Sequence, residues 1–254
     1  MYLEVKHLTV DFNGFLAVHD VSLGIEKGET RVIIGPNGAG KTTIIDMITG
    51  KTKPTQGEIL LNGVNIAGRE SYDISNTYGI GRKFQGPNVF DEMSVYENLE
   101  VALSGHTSLW QAFTYRRTRA VDARLEEILS QINLTEQRDM LPRFLSHGQR
   151  QWLEMGMILA QNPAIITLDE PAAGMTDDET FKTGEMIKSV MKDKTVIVVE
   201  HDMDFIKQIA KTVTVLNQGE ILAEGTYEEV SHNAEVIRVY LKTDDTEEEE
   251  AGSV

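Results

Sequence analysis

The sequence predicts an α/β fold: a mainly parallel sheet covered on both faces, with an N-terminal antiparallel β subdomain and an inserted α-helical lobe. Three observations carry this. The runs RVIIG (31–35), IITLDE (165–170) and TVIVVEHD (195–202) are short and almost continuously apolar, as strands buried on both faces are. Helical patterns alternate with them, which parallel strands require for their crossovers. The 254 residues, 41% of them hydrophobic, suffice for one large domain with a sizeable core.

Taken in order, Val5, Leu8, Val10 and Phe12, then Val21, Leu23 and Ile25, alternate as two antiparallel strands about a turn at Asn13-Gly14. RVIIG is a buried strand, and KTTIIDMITG (41–50) a helix closed by Gly50. EILLNG (58–63) and YGIGRKF (78–84) are further strands. Ser94, with Glu97 three residues on, forms a capping box that opens a helix. Residues 104–144 are mainly helical, and a helix follows LSHGQ over 150–161. IITLDE, a helix over 177–191 and TVIVVEHD come next, then a hairpin over 213–225 turning at Asn217–Gly219, and a last amphipathic segment. The helical block at 86–162 is the expected inserted lobe of a domain spanning 1–242. Residues 243–254, TDDTEEEEAGSV, carry six carboxylates and no cation, and are expected to be a disordered acidic tail.

Composition excludes several functions. With 24 Lys+Arg against 40 Asp+Glu and a formal charge of −16, the chain lacks the basic surface that nucleic-acid binding needs, so no nucleic-acid partner is expected. Without cysteine it has no disulfide or thiolate metal site. Met1 is followed by YLEVKHLTVDF, so no signal peptide is expected, and no apolar run approaches the ~20 residues of a membrane span. Membrane association would need a partner.

The chemistry begins at GPNGAGKT, a full G-x-x-x-x-G-K-[ST] match that follows a strand and opens a helix. Gly35, Gly38 and Gly40 let the backbone through Pro36, Asn37 and Ala39 bend, so that N–H groups up to Thr42 and Thr43 converge on phosphate oxygens. The positive helix terminus faces the same anion. Lys41 places a cation at the β/γ-phosphates, and the Thr42 hydroxyl is a Mg²⁺ ligand. Asp169 and Glu170 end a buried strand, where α/β sheets bind ligands. Asp169 is the second expected Mg²⁺ ligand, and Glu170 the base that polarises the attacking water. His201, after another apolar strand, is either a γ-phosphate contact or a structural histidine. The Gln85 amide is a candidate for the metal or the water. In LSHGQ, Ser146, Gly148 and Gln149 open a helix: either a plain N-cap or a second anion cradle. Two cradles with one lysine suggest a composite site, in which one subunit's second cradle closes on a nucleotide held by another.

These motifs, in this order, resemble the nucleotide-binding subunit of ATP-binding-cassette transporters over residues 2–242. GPNGAGKT resembles Walker A, Gln85 the Q-loop glutamine, LSHGQ the signature, IITLDE Walker B, AGMT (173–176) the D-loop, and His201 the switch histidine. The resemblance implies that Phe12 lies against adenine. A narrower resemblance, in IGRKFQGPNVF, LSHGQRQWLEMGM, DEPAAGMTDDET and VVEHDMDFI, is to urea-uptake ATPase subunits of the branched-chain amino-acid transporter group. It implies ATP and Mg²⁺ as ligands and a peripheral position on the cytoplasmic membrane face. The implied partners are a second, related ATPase subunit (or a second copy in isolation), integral membrane permeases and, indirectly, a substrate-binding protein. Urea is the expected solute, with branched-chain amino acids the alternative and a non-transport ATPase of the same superfamily a further one. His147 and Thr176 depart from the commoner LSGGQ and SALD, but neither is an expected metal ligand or base.

Overall fold

A computed structural model describes residues 1–82, 89–104, 118–190 and 192–239. Two sheets form. The first is antiparallel, in the order β2-β1-β4-β5, with β1 Leu3–Phe12, β2 Phe15–Ile25, β4 Gln56–Leu61 and β5 Val64–Asn65. The second runs β10-β9-β3-β8-β7-β6. Here β3 Thr30–Ile34, β8 Thr195–Val199, β7 Ile165–Asp169, β6 Ile80–Arg82 and β9 Thr212–Asn217 are parallel, and β10 Glu220–Gly225 is an antiparallel edge.

The strand pleat sorts the core. Val32, Ile34, Ile166, Leu168, Val196 and Val198 face one layer; Ile33, Ile165, Ile197 and Val199 face the other. The first layer is helical: α3 Val95–Ser104, α4 Arg119–Gln131, α5 His147–Ala160, α6 Asp177–Val190 and α7 Met203–Ile209 contribute Leu99, Leu125, Leu153, Met186 and Phe205. The second is the antiparallel sheet together with α1 Lys41–Ile48. An isolated eight-residue helix is marginal. Burial of Ile44, Ile45, Met47 and Ile48, at about 2 kcal/mol each, holds α1 in place and so aims its N-terminus.

Arg31 is a cation in an otherwise apolar strand. It donates from Nε to Glu29 (2.8 Å), from Nη1 to Thr214 (2.8 Å) and Glu224 (2.5 Å), and from Nη2 to the Gly24 carbonyl (2.7 Å). It thereby ties β2, β3, β9 and β10 together.

The strand expected at 78–84 is shorter: Ser71–Tyr78 is helix α2, Gly79 breaks it in a left-handed turn (φ 67°), and β6 spans only Ile80–Arg82. SYDISNTY has one buried residue, Ile74, and so carries no periodic signal of its helix. The Ser94 capping box is present: the Ser94 N–H reaches Glu97 (2.7 Å) and the Glu97 N–H reaches the Ser94 hydroxyl (3.2 Å). Helix α8 is Tyr227–Ser231, and residues 234–239 are helical again after a turn at 232–233. Among the described residues no helix is long and apolar enough to cross a membrane.

Candidate functional site

Strands β3, β8 and β7 are neighbours in parallel register: Ile33 pairs with Val199, which pairs with Asp169. Their carboxyl ends therefore deliver residues 35–42, His201 and Asp169-Glu170 to one edge, although these are far apart in sequence. The Glu170 N–H donates to the Val199 carbonyl (2.9 Å), fixing the acid to the strand that carries the histidine.

The loop is held from outside. The Gly219 N–H, in the β9–β10 turn, donates to the Ala39 carbonyl (3.1 Å), and the His19 N–H to the Gly219 carbonyl (2.8 Å). A Cβ on Gly35 would lie 2.2 Å from the Leu216 oxygen, and one on Gly40 2.6 Å from the Ala17 oxygen, whereas Gly38 has open space. Gly40 has φ 98° and is the N-cap of α1. The same contact seats the β1–β2 hairpin beside the loop. At its turn Phe12 pairs with Phe15, and both rings are exposed. The expected adenine platform is thus an exposed ring on an element that touches the loop.

Lys41 Nζ donates to the Gly35 (2.7 Å) and Pro36 (3.0 Å) carbonyls, so its ammonium is directed at the loop. Burial lowers its pKa, while Glu170 and Asp169 oppose that shift. Asp169 is buried; its pKa is raised chiefly by desolvation, against the opposing pull of Arg82 and a hydrogen bond from the Thr42 hydroxyl. One Asp169 oxygen, Oδ2, is buried without a partner. A dehydrated carboxylate oxygen beside a threonine hydroxyl is the donor set a hard divalent cation takes, with phosphate and water completing its shell. Among the described residues no group of three or more histidines and acids is placed to hold a metal ion by itself.

Sequence reasoning missed Arg82. Its guanidinium pairs with Asp46 and donates to Thr49 (2.9 Å), and its field reaches Asp169. A cation at the end of a predicted strand was the available signal.

Glu170 has φ 48°, a left-handed conformation that is uncommon for a residue other than glycine, asparagine or aspartate and that recurs at strained functional positions. Its Oε1 lies 4.0 Å from His201 Nδ1, and both side chains are exposed. Glu200, also missed, is buried with its Oε2 unpaired and its Oε1 3.5 Å from His201 Nδ1. Burial raises its pKa, against hydrogen bonds from the His201, Ala172 and Asp202 backbone. Gln85 lies outside the described residues.

LSHGQ forms the start of α5. Ser146 is the N-cap: its hydroxyl accepts the Gln149 N–H (3.1 Å), and the Gln149 amide oxygen accepts the Ser146 N–H (3.0 Å). Gln149, expected to contact nucleotide, directs that oxygen to its own helix end. His147 Nε2–H donates to the Ala173 carbonyl (3.1 Å), joining the signature to AGMT. The Trp152 Nε1–H donates to Thr183 (2.9 Å), fixing α5 to α6 behind that loop.

Comparison with known proteins agrees with this geometry. The ABC transporter family pattern matches residues 18–173, and that of the branched-chain amino acid ATP-binding cassette transporter matches residues 220–241. The high-affinity branched-chain amino acid transport ATP-binding protein BraF of Pseudomonas aeruginosa is 38% identical over 248 residues, covering 94% of this chain and 97% of that one. The crystal structure of the ADP conformation of MJ1267, an ATP-binding cassette of an ABC transporter, superposes with a TM-score of 0.83 at 29% identity, covering 94% of this chain and 98% of that one. A dimeric post-hydrolysis structure of the cassette MJ0796 with ADP and Pi gives 0.75 at 26% identity, over 89% and 98% of the two chains.

Proposed function

This chain belongs to the ABC transporter family and is an ATPase, and on that premise we propose that it drives an importer of branched-chain amino acids from the cytoplasmic membrane face. The observation that carries the solute class is the similarity to a branched-chain amino-acid cassette along nearly the whole chain, including the segment 220–241 outside the nucleotide motifs. It displaces the urea expectation. The stretches that suggested urea, LSHGQRQWLEMG and GMTDDET, flank nucleotide motifs, and an ATPase subunit does not touch the solute.

The mechanism follows from the edge formed by β3, β8 and β7. Backbone N–H groups of 35–43 cradle the phosphates, and Lys41 neutralises the terminal ones. Thr42, Asp169 and Gln85 are the residues that would hold Mg²⁺, which when bound offsets phosphate charge. Glu170 accepts the proton of a water aligned on the γ-phosphorus, a step worth roughly 10²–10⁴-fold. His201 contacts the γ-phosphate and lies within reach of Glu170. Ser146 and Gly148 close on the nucleotide of a second subunit, so ATP stabilises a closed pair and hydrolysis reopens it. That pair is a heterodimer with a related ATPase in the transporter and a homodimer in isolation. The lobe at 86–162 passes the motion to membrane permeases, which a separate binding protein supplies with solute.

Two experiments test this. In cells depending on this transporter, Lys41→Ala should abolish uptake of labelled leucine and leave urea uptake unchanged; the reverse pattern restores urea. Purified Glu170→Gln should bind ATP normally and release no phosphate, and normal turnover would remove Glu170 from its role.

A further inference from the structure

The signature serine is not free to donate. Its hydroxyl donates to Glu179 Oε1 at 3.0 Å while accepting from Gln149. Glu179 lies in the first turn of α6, and its other oxygen, Oε2, accepts from the Thr176 N–H and hydroxyl, both at 3.1 Å. That half is an ordinary capping box, completed by the Glu179 N–H to the Thr176 hydroxyl (3.4 Å). The contact with Ser146 is not required by it.

The carboxyl also covers the second cradle. A Cβ on Gly148 would lie 2.5 Å from Glu179 Oε1, so the carboxyl sits in the space that a side chain at 148 would fill. An anion therefore occupies the start of α5, where a terminal phosphate oxygen would be received. Thr176 and Ser146 hold it well below the usual glutamate range, with the His147 ring adding to the shift.

We propose that Glu179 is an internal stand-in for phosphate, a latch that holds the Ser146 hydroxyl and must yield before LSHGQ can close on the nucleotide of a second subunit. The inference rests on the shared-site reading above. Because one carboxylate bridges LSHGQ and residue 176, release of the serine and rearrangement of AGMT are one event, and His147 on Ala173 strengthens the same link. Glu179 is a positioning residue, acting through Ser146. It sets how much ATP the pair needs to close, and adds a repulsion that only a γ-phosphate bound with its full set of donors overcomes.

The test uses the chain carrying Glu170→Gln, titrated with Mg-ATP while its mass is followed by light scattering. Adding Glu179→Gln keeps the capping box, since glutamine serves at that position, and removes the charge. The ATP needed for half-maximal dimer should fall roughly tenfold, about the worth of one charge-assisted hydrogen bond. Glu179→Asp, too short to span both partners, should move it the same way. Ser146→Ala should weaken the dimer and erase the effect of Glu179→Gln, which a purely structural Glu179 would not produce. If Ser146→Ala has no effect, or ATP drives no dimer, the shared-site reading itself fails. If Ser146 matters but Glu179→Gln leaves the midpoint unchanged or raises it, the latch alone is overturned.

Discussion

Alanine at Gly40 and at Gly38 separates steric support of the phosphate loop from backbone freedom. Both glycines have positive φ, 98° and 77°. Any L-residue there costs about 1–2 kcal/mol. At Gly38 that is the whole cost, because an added Cβ meets nothing within 4 Å. At Gly40 the Cβ falls 2.6 Å from the Ala17 carbonyl oxygen and 3.2 Å from Val18 Cγ2. Relief requires β2 or the loop to retreat by several tenths of an ångström, and Gly219 also anchors to Ala39 there. Overpacking of this kind costs about 1–3 kcal/mol. Gly40→Ala should therefore lose about 2–5 kcal/mol against about 1–2 kcal/mol for Gly38→Ala, from a typical total of about 5–15 kcal/mol. Urea unfolding of the nucleotide-free chain reads the difference, and ATP titration should show affinity falling further for Gly40→Ala, whose loop has moved. Equal losses in the two variants would refute the claim that β2 supports the loop.

Other expectations concern the acids. Glu200 has a folded pKa above its ordinary 4.5, so its ionisation destabilises the fold: stability is fullest below that value and falls as pH rises towards the folded pKa. Glu200→Gln should flatten this slope in denaturant melts at several pH values. Arg82→Met should cost about 2–3 kcal/mol, less than a fully buried pair, because Asp46 keeps Lys51 at 3.3 Å; it should also push Asp169 further up and weaken Mg²⁺-dependent ATP binding, both readable by calorimetry. Asp169→Asn should raise the melting temperature without ligand, by removing a desolvated charge, and abolish the further rise that Mg-ATP produces over ATP alone.

Local patterns carried much of the fold and the site. Alternation in 5–25, the apolar runs at 31–35, 165–169 and 195–199, and GPNGAGKT were legible because each reflects a neighbour-to-neighbour rule: pleat period, two-sided burial, or the backbone bend around an anion. α2 was not, since SYDISNTY buries only Ile74 and its helix is decided by what packs on it.

By itself the sequence determined the kinds of groups present and the order of the motifs, because glycine, lysine and carboxylate chemistry is intrinsic to each residue. Tertiary structure alone decided their company. It placed β8 between β3 and β7, so that His201 comes within 4.0 Å of Glu170; it buried Glu200 beside His201 and set Arg82 where its field reaches Asp169; and it laid Glu179 across Ser146. Those outcomes depend on strand order and helix packing, which are sums over contacts distant along the chain and leave no local trace in residue spacing.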